Sequence, residues 1–81
     1  MTRIEVYGPT REEIVAGAIE EIRDAENQRE AAYTYALAMR FIAPGFGEPW
    51  ARINAAVCER WPKGLERVKT LAWKLLKERS K

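Results

Sequence analysis

The sequence predicts an all-α domain, and three observations carry that reading. Apolar residues recur every three or four positions through residues 14–42, 50–61 and 65–76, the period of a helix face rather than of a strand. Clusters of Pro and Gly at 44–49 and 62–64 cut the pattern into segments of helical length. The alternation that marks a strand is confined to residues 3–7, where Ile4 and Val6 oppose Arg3, Glu5 and Tyr7, and the chain offers such a strand no partner. The expected architecture is a small helical domain: one long, or broken, N-terminal helix packed on a C-terminal helical hairpin, with a short extended arm over residues 1–9.

Gly8-Pro9 ends the arm, and Thr10 opens the first helix. Thr10 and Glu13 have the spacing of a capping box, in which hydroxyl and carboxylate each satisfy an unpaired backbone N–H. Ile14, Val15, Ala18, Ile19 and Ile22 define its buried face. The stripe Ile14–Ala18–Ile22–Ala25 runs in phase into Ala32, Tyr33 and Ala36 with no Gly or Pro between 18 and 43. That phase favours one helix from about 11 to 43, about 50 Å long. Asn27 and Glu30 form a second capping-box pair and so offer the alternative of two shorter helices.

Residues 44–48 read as a loop, and Pro49 suits a first helical turn. A helix over about 49–60 places Trp50, Ile53 and Val57 on one face, with Trp61 following in register. Trp61-Pro62-Lys63-Gly64 then turns the chain. The last helix, about 63–79, buries Leu65, Val68, Leu71, Ala72, Leu75 and Leu76. Trp50 and Trp61 are expected in the core, and Cys58 reads as a small buried residue.

Eighty-one residues make one domain, and 47% hydrophobic residues supply enough material for its core. No apolar run approaches the roughly 20 residues that cross a bilayer, and MTRIEVYGPT has no apolar segment of a secretory signal. A lone cysteine excludes an internal disulfide and makes the cytoplasm the expected location. The chain contains no histidine, which removes the commonest general base and the commonest metal ligand. One cysteine without histidine supplies neither a nucleophile pair nor a zinc site. Gly45-Phe46-Gly47 is too short, and wrongly placed after a helix, to cradle a phosphate. The expectation is a protein that is no enzyme, with no metal, cofactor or small-molecule substrate.

Charge is distributed unevenly. Residues 1–58 carry six arginines against nine carboxylates, whereas residues 59–81 carry eight cations against three, all five lysines among them. Lys63, Arg67, Thr70, Lys74, Lys77 and Lys81 follow at spacings of 4, 3, 4, 3 and 4, which places them on one stripe of the last helix with Trp73 at its edge. Such a stripe can dock on an acidic protein surface or follow a phosphate backbone, and it can equally be a solvated face that complements the helix dipole. Arg29 projects onto the otherwise apolar stripe of the first helix, as an exposed turn or a polar contact to a partner. The favoured function is that of a small binding or regulatory protein acting through a protein–protein contact. A homodimer is also expected, since arm and long helix lack cover. The alternative is nucleic-acid binding: Trp50–Trp61, the Pro62–Gly64 turn and the basic last helix resemble a helix-turn-helix arrangement, although Arg60 and Thr70 stand where that pattern prefers a small and an apolar residue.

Overall fold

The computed structural model describes residues 10–43 and 47–79, so the expected arm, positions 44–46 of the loop and Lys81 lie outside the described residues. Four helices and no strand occur among them: α1 (Arg11–Asp24), α2 (Gln28–Phe41), α3 (Glu48–Arg60) and α4 (Leu65–Arg79). The capping box at α1 forms as the spacing predicts. The Glu13 backbone N–H donates to Thr10 Oγ1 at 3.2 Å, and the Thr10 N–H donates to Glu13 Oε1 at 3.0 Å.

The continuous helix over 11–43 is corrected: the chain breaks at Ala25–Asn27 into two helices of 14 residues each. The break is locally satisfied. Asn27 Oδ1 accepts from the Glu30 N–H at 3.0 Å, and Glu30 Oε1 accepts from the Glu26 N–H at 2.9 Å. It is also held from a distance. The Arg60 guanidinium, at the end of α3, donates to the Ile22 carbonyl at 3.1 Å, which also accepts from the Ala25 N–H at 3.3 Å, and to the Arg23 carbonyl, both at the end of α1 where the regular helical donors run out. The Arg23–Glu59 ion pair beside it is exposed at 3.5 Å and adds little. Breaking the helix lets α1 fold back on α2, so that Val15, Ala18 and Ile22 share one core with Ala31, Ala32 and Tyr35.

The helices neighbour one another in the order α3, α1, α2, α4, with a lighter contact between α4 and α3. The expected C-terminal hairpin is therefore corrected too, because α4 packs chiefly on α2. Val68 and Ala72 of α4, Ile53 and Val57 of α3, and Ala31 and Ala32 of α2 are wholly buried. Trp50 is 3% exposed, as expected of a core residue. Its ring lies 5.0 Å from that of Tyr35 at 41°, and its Nε1–H donates to the Ala43 carbonyl at 2.7 Å. Trp61 and Cys58, by contrast, are only half-buried. Trp61 sits at the rim of the core beneath the Arg60 guanidinium, 4.7 Å from its ring centre.

Gly64 is buried at the α3–α4 turn, where an added Cβ would stand 2.7 Å from Trp61 Cβ and 2.8 Å from Gln28 Nε2. Its carbonyl accepts from the Val68 N–H at 3.0 Å, which starts α4 at Leu65 and leaves Lys63 in the turn. Among the described residues, no helix is long and apolar enough to cross a membrane.

Candidate interaction groove between α2 and α4

The basic stripe divides once α4 is placed against α2. Stepping about 100° per residue from buried Val68, Leu71 and Leu75 lie at about −60° and −20°, with Arg67 and Lys74 beside them at about −100° and −120°. Thr70 and Lys77 fall at about 200° and 180°, directly away from the core. Trp73, at about 140°, lies on the opposite flank from Leu71 and is 47% exposed. Lys63 stands in the turn before the helix. Of the predicted stripe, then, Arg67 and Lys74 border the α2–α4 seam, Thr70 and Lys77 face solvent, and Trp73 lies beside Lys77, away from the seam.

That seam is a groove. At its start, Arg29 at the beginning of α2 faces Trp61, Arg67 and Leu71 across a hollow also bordered by Glu26 and Gln28. Next, Arg29 and Leu71 continue into a hollow with Lys74, Leu75 and Glu78. Leu75 then leads to a third, about 230 Å³ in volume, formed with Leu76, Tyr33, Ala36, Leu37 and Arg40. A cavity of about 150 Å³ accepts benzene, so this hollow has room for one large apolar side chain. The floor is made of the half-buried Trp61, Leu71, Leu75 and Leu76. The rims carry Arg29 and Arg40 on α2 and Arg67 and Lys74 on α4, all exposed. None of the four makes an ion pair or side-chain hydrogen bond with another described residue.

Sequence reasoning singled out Arg29, Arg67 and Lys74, and the structure brings these three together. Leu71, Leu75, Leu76 and Trp61, expected in the core, pack against it half-buried and form the floor, and Arg40 was not among the expected site residues. The available signal was the apolar arc of α4, about 140° from Leu71 to Leu76, wider than α2 alone covers. A second apolar feature adjoins the groove. Tyr33, Leu37 and Phe41, one turn apart on the outer face of α2, are 47%, 49% and 68% exposed. Leu37 and Phe41 also border a hollow against Ile14, Ala18 and Glu21 of α1.

Tyr35 is the group whose acidity the fold changes most clearly. Burial, and secondarily the negative charge of Glu66, push its phenol up to about 12. It therefore stays protonated at neutral pH and donates to Asn54 Oδ1 at 2.6 Å. That is a structural hydrogen bond between α2 and α3 rather than a poised acid or base. Among the described residues, no three His, Cys, Asp or Glu side chains converge as metal ligands.

Fold and groove together define a small all-α domain with an apolar-floored, basic-rimmed surface channel. Comparison with known protein families, with characterised proteins and with solved structures finds no match.

Proposed function

We propose that this chain is a small non-enzymatic binding or regulatory protein that works in the cytoplasm through a protein–protein contact, with the α2–α4 groove as its contact surface. The observation that supports this is the combination of a leucine floor with cations on both rims. A protein segment offers apolar side chains for the floor and carboxylates for the rims, and buried apolar anchors supply most of the energy of such contacts. A phosphate backbone would use the cations and leave the leucines without a role. The test places a photo-activatable phenylalanine analogue at Leu75, and separately at Glu12 on α1, in the full chain inside its native cells. Discrete cross-linked protein species are expected from position 75 and not from position 12. Equal labelling from both positions, or none from position 75, refutes the groove as the contact.

The nucleic-acid reading draws on a different observation, the solvent-facing Lys77 one turn beyond exposed Trp73, with Lys63 exposed in the turn before the helix. It predicts retention of duplex or single-stranded DNA at low salt with steep loss as salt rises. Absence of retardation at about 50 mM salt removes it. A homodimer, the other proposed partnership, has the Tyr33–Leu37–Phe41 stripe as its available apolar surface.

A further inference from the structure

Resting on the proposal that the groove binds protein, we infer that its partner is an acidic amphipathic α-helix, with two apolar anchors one turn apart between flanking carboxylates. Charge complementarity argues for the acid. Arg29, Arg40, Arg67 and Lys74 outnumber the two carboxylates that border the groove, Glu26 beside Arg29 and Glu78 beside Lys74. Because none of these four cations is ion-paired with another described residue, they meet a partner's carboxylates at little desolvation cost.

Backbone chemistry argues for the helix. An extended segment lying on Trp61, Leu71 and Leu75 finds no strand edge among the described residues to pair its N–H and C=O groups, and would gain no backbone hydrogen bonds from the groove. A helix satisfies those groups internally and buries only its side chains. The dimensions agree. Arg29 to Arg40 spans about 16 Å along α2, and Arg67 to Leu76 about 14 Å along α4, so the groove takes about ten residues of helix. The apolar floor at Leu71 and that at Leu75 are one turn, about 6 Å, apart, which matches anchors at i and i+4.

The test uses a designed 14-residue peptide: Leu at two positions one turn apart, Glu on both flanks, Ala elsewhere. A second peptide has every Glu replaced by Gln. Each is titrated into the full chain and followed by backbone amide NMR. The Glu peptide is expected to bind with shifts centred on Leu71, Leu75 and Leu37, about tenfold more tightly than the Gln peptide at 50 mM salt. R29E/K74E should lose that tenfold preference, the Glu peptide binding it no more tightly than the Gln peptide does. Leu75→Asp should abolish binding of both, with circular dichroism showing that each variant remains helical. Equal affinity for the two peptides, shifts centred outside the groove, no binding at millimolar peptide, or displacement of the bound peptide by a 20-base-pair DNA duplex through shifts at the same residues would each overturn the inference. Failure here with cross-linking intact at position 75 leaves the protein-binding proposal standing. Failure of both removes it.

Discussion

Replacing Arg60 with Met removes the hydrogen bonds that tie the end of α3 to the end of α1, leaving the exposed Arg23–Glu59 pair in place, and the cost follows from the contacts of Arg60. Its donation to the Ile22 carbonyl is part-buried, where a charge-assisted hydrogen bond contributes about 1.5 kcal/mol. The donation to Arg23 is exposed and replaceable by water, so its loss costs a few tenths of a kcal/mol, about 0.3. Placing a cation at a helix C-terminus and over the Trp61 ring adds about 0.5 kcal/mol. The sum is about 2 kcal/mol, which for a domain of this size lowers the melting temperature by roughly 10 °C. Thermal unfolding followed by circular dichroism measures it, with Arg52→Met, on the exposed face of the same helix, as the control expected to melt with the parent. Arg60→Lys retains the charge but not the length and fixed direction that bring Nη1 to both carbonyls, and should recover less than half of the loss. If Arg60→Met melts within about 2 °C of the parent, a shift worth under 0.5 kcal/mol, the guanidinium does not hold the break and the account of the α1–α2 junction fails.

Two glycines should respond in opposite directions. Gly64→Ala forces a Cβ against Trp61 and Gln28 and is expected to lower the melting temperature by several degrees, whereas Gly17, with nothing within 4 Å on α1, gains about 0.5–1 kcal/mol on replacement by Ala. Equal shifts in melting would contradict the close approach at the turn. For Tyr35, an unfolded phenol ionises near pH 10 while the folded one holds its proton to about 12. The stability it contributes is thus complete below pH 10 and lost as pH rises through 12. Absorbance at the phenolate band should show one tyrosine titrating late, absent in Tyr35→Phe; a single common transition would show that the phenol is not desolvated. Tyr33→Ser and Leu37→Ser, on the exposed face of α2, should each change stability by no more than about 0.5 kcal/mol in chemical denaturation. A loss of 2 kcal/mol or more, the range of core truncation, would place them in the core. By light scattering, Phe41→Ser should convert a homodimer to monomer if the α2 stripe is its interface, and a parent chain already monomeric at millimolar concentration rules that interface out.

Helix identity was legible because local chemistry encodes it. Thr10–Glu13 satisfies itself within one turn, and the Pro–Gly clusters stop helices wherever they occur. The break at Ala25–Asn27 was legible only as an alternative. Asn27 and Glu30 permit it, but the interaction that decides it comes from Arg60, 38 positions from Ile22, and no periodicity carries that information. The same holds for α4. Its basic and apolar faces were visible, yet which cations border the groove depends on α4 lying against α2 instead of α3, a choice between two amphipathic neighbours.

The size distribution along α2 connects packing to the groove. Its buried face is built largely of Ala31, Ala32, Ala36 and Ala38, with Tyr35 and Met39, while its outer face carries Tyr33, Leu37 and Phe41. Small buried residues let α1 and α4 approach α2 closely, because interaxial distance is set by the side chains at the contact. Close approach closes the core around Ile22 and Val68, and it leaves α4 short of surface to cover. Leu71, Leu75 and Leu76 of α4, packed against the core with one edge exposed, then border the same channel as Tyr33 and Leu37 of α2. A sequence selected for stability alone would place the large side chains inside and the alanines outside. The inversion on α2, with Arg29 and Arg40 beside its outer apolar stripe, is the feature that the proposed contact with an apolar and acidic partner would use.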